Sequence, residues 1–351
     1  MIVTVTPNPA LDRAFTVAAL EVGQVNRAAA TQVDAGGKGI NISRALHAQG
    51  VPTVAVFPAG SSSGAELHDA LVALGVNSYP VPVAGATRSN VTLVDAHGVT
   101  TKVNAPGPVL LPDEVANFLA AVKAVATAEV AKAKGEPSGG VVIVGAGSLP
   151  VGVSSDFYAH LAQVGAELGV PVAIDTSGEP LAFAIAAGGL ALVKPNLEEL
   201  VEWAGYPLAT VGEVVTAARQ IIAQGTESVL VSLGADGALL ITGATWAWAG
   251  GPPLVPRSTV GAGDAMLAGY LASYIEYSGT MPASSYTGSP EIQALKTAVT
   301  WGRAAVLQPG TAAPLPSDLE FDNIKLAQEP EFSIRLGGLG GSLCGNTFAS
   351  T

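Results

Sequence analysis

The sequence predicts an α/β fold: a mainly parallel sheet covered by helices on both faces, with a small separate β-sheet lid. Three observations carry that expectation. Short Val/Ile-rich runs alternate with helix-patterned stretches along most of the 351 residues, and such alternation builds parallel sheets through crossover connections. Segments 12–34 and 87–104 break the alternation and switch polar and apolar residues with a period of two, as in Ser89-Asn90-Val91-Thr92-Leu93-Val94-Asp95. That is the pattern of antiparallel strands outside the main sheet. Glycine (42) and proline (24) are also frequent, which suits tight connections between short elements.

In chain order, Ile2–Thr6 reads as a strand closed by Pro7. Segment 12–34 is the first lid excursion, followed by a helix over Gly39–Gln49, a strand over Thr53–Phe57 and a helix over Gly64–Leu74. The second excursion, 87–104, turns at His97-Gly98. Pro112–Lys134 is helical, Val141–Val144 extended, Ser155–Leu168 helical, and Val172–Asp175 and Leu190–Val193 are strands. Leu197–Ala204 and Val211–Gln224 are helices; Val229–Leu233 and Ala238–Ile241 are strands joined by a glycine-containing turn. An apolar, helix-patterned segment begins at Ala265. The expected organisation is a core of 1–11, 35–86 and 105–320, a lid of 12–34 and 87–104, and a flexible C-terminal extension over 321–351. In that extension the pattern weakens, and the stretch from Gly337 to Thr351 is rich in glycine and serine.

Composition narrows the function classes. The net charge is −12 with only 16 Lys+Arg, which disfavours nucleic acid as a partner because that surface must displace counterions with cations. No apolar run approaches the ~20 residues needed to span a bilayer. The single cysteine, Cys344, allows no intrachain disulfide, which suits a reducing, cytoplasmic setting. An anionic small substrate requires the few cations to gather around it.

The strongest local signal is Ser258-Thr259-Val260-Gly261-Ala262-Gly263-Asp264, leading directly into an apolar helix. Gly261 and Gly263 let backbone N–H groups converge, and the first N–H groups of a helix lack internal partners and carry partial positive charge. Asp264 there is either a cap or a base beside an anion site. A second glycine-rich segment, Ala35-Gly36-Gly37-Lys38-Gly39-Ile40-Asn41, fits neither the Walker A spacing nor G-x-G-x-x-G. It reads as a tight turn or as a close approach to ligand with Lys38 and Asn41 alongside. Asn8 and Asp12 follow the first strand, where a carboxylate and an amide can bond sugar hydroxyls or form a proline-flanked turn. Asn196 and Glu199 have capping-box spacing and can also organise waters around Mg²⁺. Ser232, Gly234 and Gly237 lie in a strand-joining turn, either a plain hairpin or a surface for a nucleotide.

In order and spacing, TVTPNPALDR, AGGKGIN, GSLP (Gly147–Pro150), VKPNLEEL, SLGADG and STVGAGD resemble the PfkB/ribokinase superfamily of sugar kinases over residues 1–316. The resemblance implies a ribokinase-like three-layer fold and ATP-dependent phosphorylation with Mg²⁺. Asp264 would be the general base, with the amides of Gly261, Ala262 and Gly263 holding the transferring group. Asp12, Gly37 and Asn41 match sugar-contacting positions; Lys194, Asn196, Ser232, Gly234, Gly237 and Thr259 fall on the nucleotide side. Asn196 and Glu199 would serve the metal through water.

Lys38 and Arg88 resemble ligands of an acceptor phosphate, with Arg27 as a third. Ser258 stands where free-sugar kinases of the superfamily usually carry Asp, which favours the phosphofructokinase-like branch. The expected reaction is phosphorylation of fructose 1-phosphate at C6, with tagatose 6-phosphate or fructose 6-phosphate as alternative ketose monophosphate acceptors. A non-catalytic sugar-phosphate-binding regulator is a further alternative. A homodimer through the lid is the expected assembly.

Overall fold

The computed structural model describes residues 1–97, 99–133, 140–280, 290–339 and 343. The expectations on Gly98, Lys134, Cys344 and most of 340–351 lie outside these residues.

Among the described residues, ten strands form the main sheet: β1 (Ile2–Val5), β4 (Thr53–Ala59), β5 (Ser78–Pro82), β8 (Val142–Ala146), β9 (Val172–Asp175), β10 (Leu190–Val193), β11 (Thr226–Ser232), β12 (Ala238–Thr242), β13 (Trp246–Gly250) and β14 (Lys325–Gln328). Their order is β14-β13-β12-β11-β10-β9-β8-β1-β4-β5. Neighbours from β11 to β5 run parallel, while β12, β13 and β14 add an antiparallel edge.

Side chains of the central strands alternate between two cores. Val3, Val5 and Ile143 meet α3 (Pro112–Ala133), α4 (Phe157–Leu168), α5 (Gly178–Ala187), α6 (Leu197–Ala204) and α7 (Val211–Ile222). Ile2, Val142 and Val144 meet α1 (Lys38–Ala48), α8 (Ala262–Thr280) and α9 (Pro290–Val306). Burial on both faces accounts for the unbroken Val/Ile runs. Helix α2 (Ser61–Ala73) closes a third, smaller core over β4.

The second sheet has the order β3-β2-β6-β7, from β2 (Ala10–Thr16), β3 (Ala30–Gly36), β6 (Arg88–Val94) and β7 (Thr100–Val103). Its central pair, β2 and β6, is parallel, against the antiparallel expectation. Each of these strands runs outward from the core, and only the returning strands β3 and β7 pair antiparallel with them.

A second correction concerns the C-terminal extension. Residues 321–339 are built into the fold rather than loose: β14 pairs with β13, and Leu339 is fully buried in the first core. Gly337 and Gly338 suggest flexibility, but Ile334, Leu336 and Leu339 on either side of them pack into or against the core.

Strand β1 lies between β4 and β8, so chain order reverses on either side of it. A crevice at the carboxyl ends of such strands is where open α/β sheets take ligands. The turns after β1, β9 and β10 and the starts of α1, α6 and α8 surround this crevice.

Candidate active site

Helix α1 begins against the end of β1. Its N-cap, Gly37, has φ 114°, and a Cβ there would lie 2.8 Å from Thr6 Cγ2. Only glycine fits both demands. The first helical residue, Lys38, thereby points across the sheet ends, and its Nζ donates to Asp175 Oδ1 at 2.8 Å and lies 3.7 Å from Glu199 Oε1. Lys194, just beyond β10, is buried and brings its Nζ to 3.1 Å from the other oxygen, Oδ2, of Asp175. Asp175 ends β9 and is 1% exposed. Burial raises its proton affinity, but the two ammonium groups outweigh that and hold its carboxyl below the usual range. Burial likewise opposes the charge on Lys38, and Asp175 and Glu199 more than compensate, so its affinity for the proton is raised.

One turn further along α1, Asn41 Nδ2 donates to Asp264 Oδ2 at 2.8 Å. Asp264 sits in the first turn of α8 and is 6% exposed. Burial is the main cause that pushes its pKa up to about 6; Asp175 adds to the rise, while Lys38, Asn41 and Lys194 oppose it. Gly261 precedes the helix at φ 80°. A Cβ on Gly263 would lie 3.4 Å from Lys194 Nζ, so the open end of α8 faces an ammonium group. A carboxylate with raised proton affinity beside unpaired helix N–H groups is equipped to take a proton next to a bound anion.

The opposite wall comes from the small sheet. Asp12 lies so close to Gly36 that any Cβ there would overlap its carboxylate, and its Oδ1 accepts from Asn90 Nδ2 at 2.9 Å. Burial pushes the Asp12 carboxyl up, against the lowering effect of Asn90 and Arg88. Arg88 donates from Nη1 to Ala105 O (2.8 Å) and from Nη2 to Asn8 O (2.9 Å), leaving a buried Nε with no partner among the described residues. Asn8 donates to Pro106 O and Ser148 Oγ, at 3.0 and 3.3 Å, and its own Oδ1 is buried with no partner among the described residues.

On the third side, Asn196 and Glu199 form a reciprocal capping box at the start of α6. Asn196 Oδ1 accepts from Glu199 N at 2.7 Å, and Glu199 Oε2 accepts from Asn196 N at 2.9 Å. Glu199 Oε1 stays directed at Lys38. Ser232 N donates to Pro195 O at 3.1 Å, which joins the end of β11 to this turn. The following turn closes through Leu233 N donating to Gly237 O at 2.9 Å, with Gly234 and Gly237 both at positive φ, 60° and 86°.

The structure thus gathers Lys38, Asn41, Lys194, Glu199, Gly263 and Asp264 into one contact network, with Gly37 buttressing its start. Asp12 and Arg88 form a separate, linked wall. Arg27 and Thr259 are exposed, Arg27 on the connection between β2 and β3 and Thr259 just ahead of α8, and neither touches the network. Sequence reasoning missed Asp175, the residue that joins the two lysines. A carboxylate closing a wholly buried strand is the signal that could have found it, because such a charge needs partners.

A mainly parallel sheet between two helical layers, with this crevice, a buried carboxylate at a helix start and clustered lysines, has the architecture of a ribokinase-like sugar kinase. The chain belongs to the pfkB family of carbohydrate kinases, whose profile matches residues 6–318. It is 35% identical over 285 residues to a 1-phosphofructokinase of Xanthomonas campestris pv. campestris, covering 78% of this chain and 84% of that protein. It is 33% identical over 331 residues to the ATP-dependent 6-phosphofructokinase isozyme 2 of Mycobacterium tuberculosis, covering 94% and 90%. The solved structure of phosphofructokinase-2 from Escherichia coli in complex with potassium superposes with a TM-score of 0.80 at 31% identity, covering 90% and 96% of the two chains.

Proposed function

We propose that this chain transfers the γ-phosphoryl group of ATP to the free primary hydroxyl of a ketose monophosphate, with fructose 1-phosphate, phosphorylated at C6, as the leading acceptor. The observation that carries this reading is the Asp264 carboxylate, buried at the start of α8, hydrogen-bonded by Asn41 and with its pKa pushed up to about 6 by burial. Asp264 takes the proton of the attacking hydroxyl as that oxygen bonds to the γ-phosphorus and the bond from that phosphorus to the ADP oxygen breaks, releasing ADP. The N–H groups of Gly261, Ala262 and Gly263 stabilise the charge on the transferring group.

The residues fit a nucleotide and its metal. The start of α8 is a cradle lined by a lysine. Asn196 Oδ1 is already engaged in the capping box, so Asn196 and Glu199 serve a cation through water. Among the described residues no three His, Cys, Asp or Glu side chains converge as a cage, which suits an ion held mainly by phosphate oxygens. When bound, MgATP supplies the phosphoryl group and the metal's positive charge. Ser232, Gly234 and Gly237 provide the backbone edge for the nucleotide.

Lys38 and Arg88 hold the acceptor phosphate, and Asp12 and Asn41 hold its hydroxyls. Ser258 favours a phosphorylated acceptor without distinguishing which, and the similarity to the Xanthomonas 1-phosphofructokinase favours fructose 1-phosphate. Fructose 6-phosphate is the second reading, favoured by the similarity to the Mycobacterium isozyme over 94% of the chain. The exposed edges of β3 and β7 are where a second copy would pair to make a homodimer.

The test is ATP-dependent ADP release with Mg²⁺ against fructose 1-phosphate, fructose 6-phosphate and tagatose 6-phosphate. A kcat/KM preference of about a hundredfold for fructose 1-phosphate supports the leading acceptor. A preference for either 6-phosphate reassigns the acceptor and keeps the base and anion site. No turnover with any of the three overturns the kinase reading in favour of a sugar-phosphate binder.

A further inference from the structure

The family profile ends at residue 318, yet the chain beyond it is tied to the turn at 234–237. That turn is a single 3-10 turn between β11 and β12. Its Asp236 carboxylate receives two backbone N–H groups of the C-terminal segment, Gly337 on Oδ2 at 2.5 Å and Leu339 on Oδ1 at 3.1 Å. The carbonyl of Asp236 accepts from Trp248 Nε1 at 2.7 Å, so backbone and side chain are both anchored.

The segment leading to this clamp is held along its length. Strand β14 pairs with β13, and Glu329 N donates to Trp246 O at 2.9 Å. Trp246 Nε1 donates to Pro330 O at 3.1 Å, and the Phe332 ring packs on the Trp246 ring with centroids 4.9 Å apart. Val211 N and Gly212 N, at the start of α7, donate to Ile334 O and Phe332 O at 2.9 and 3.0 Å. Leu336 N donates to Ala209 O at 2.9 Å, and Leu339 ends the run fully buried.

We propose that residues 325–339 form a strap that sets the conformation of the Gly234–Gly237 turn through Asp236, so that strap docking and nucleotide binding favour each other. This rests on the reading that the turn meets the nucleotide. Both glycines occupy positive φ, a state that glycine leaves as readily as it enters. Within the turn, the closing contacts are backbone bonds of 2.9 to 3.3 Å. The carboxylate adds two charge-assisted bonds to amides 101 and 103 residues away, and these restrict the turn only while the strap is docked. Asp236 is a positioning residue; it acts through the backbone of the turn. Coupling of this kind is reciprocal: whatever the strap contributes to nucleotide affinity, the nucleotide returns to strap docking.

The experiment is amide hydrogen exchange on the full chain with and without MgATP, joined to steady-state kinetics of the native protein, Asp236→Ala and Leu339→Asp. Leu339→Asp undocks the strap from its far end and leaves the turn's own residues in place. If the proposal holds, MgATP slows exchange at Gly337 and Leu339 of the native protein. Both variants then raise the ATP KM by about fivefold or more, while the acceptor KM is unchanged. A strap that exchanges freely in either folded variant with an unaltered ATP KM overturns the coupling, as does nucleotide protection of 234–237 that never reaches the strap. If MgATP protects neither segment, it is the nucleotide reading of the turn that fails, and the coupling falls with it.

Discussion

Replacing Asp264 with Asn should abolish turnover and make the protein more stable, by an amount that depends on pH. The carboxylate is 6% exposed and shares its surroundings with Asp175, so the ionised form is disfavoured in the folded state. The gap between its ordinary value of 3.8 and about 6 corresponds to ~3 kcal/mol once the group is ionised in both states. Because the folded value is the higher one, this stability is present at acid pH and is lost as pH rises from 3.8 to about 6.

Asparagine never ionises and still offers Asn41 an acceptor. Its advantage should therefore be small at the acid end, grow through that interval and stay constant above it. Thermal unfolding of both proteins across the range, followed by calorimetry, reads the difference as a few degrees in Tm. Turnover should fall by at least about a hundredfold with MgATP affinity retained. A variant less stable at every pH, or one whose gain is independent of pH, would refute the buried-charge argument. Near-normal turnover would refute Asp264 as the base.

Four further outcomes are expected. In the native protein, kcat/KM should decline roughly tenfold per pH unit below an apparent pKa near about 6; an acid limb two units lower would mean an unperturbed carboxylate. Lys38→Met should raise the acceptor KM by at least about tenfold and leave the ATP KM unchanged, since it removes a charge-assisted contact to an acceptor phosphate. Arg88→Met should do the same and also lower Tm, because Arg88 ties the carbonyls of Asn8 and Ala105. Gly37→Ala should cost ~2 kcal/mol, from a φ of 114° and a Cβ 2.8 Å from Thr6 Cγ2; an unchanged denaturant midpoint would show that this turn relaxes freely.

Legibility in the sequence followed the range of each interaction. The start of α8 could be read because two glycines, a carboxylate and the apolar helix are contiguous, and the doubly buried strands because valine and isoleucine run unbroken. The Asn196–Glu199 box could be read because a cap spans three residues. Asp175 could not, since its partners Lys38 and Lys194 come from other elements and nothing beside it in the chain names them. Arg27 looked like a phosphate ligand by position along the chain, but its connection leaves it in solvent. The C-terminal segment was misread because glycine content reports local freedom, whereas Ile334, Leu336 and Leu339 are recruited by a distant core.

The bond between Asn41 and Asp264 joins residues 223 positions apart. During synthesis, the strands from β1 to β13 leave the ribosome before Asp264 does, so the sheet can pair while the crevice still lacks that carboxylate and the start of α8. A nascent or prematurely ended chain would therefore display the sheet ends with Lys38, Asp175 and Lys194 but neither the carboxylate nor the α8 cradle. The crevice is completed late in translation, when the fold that must contain it is already largely assembled.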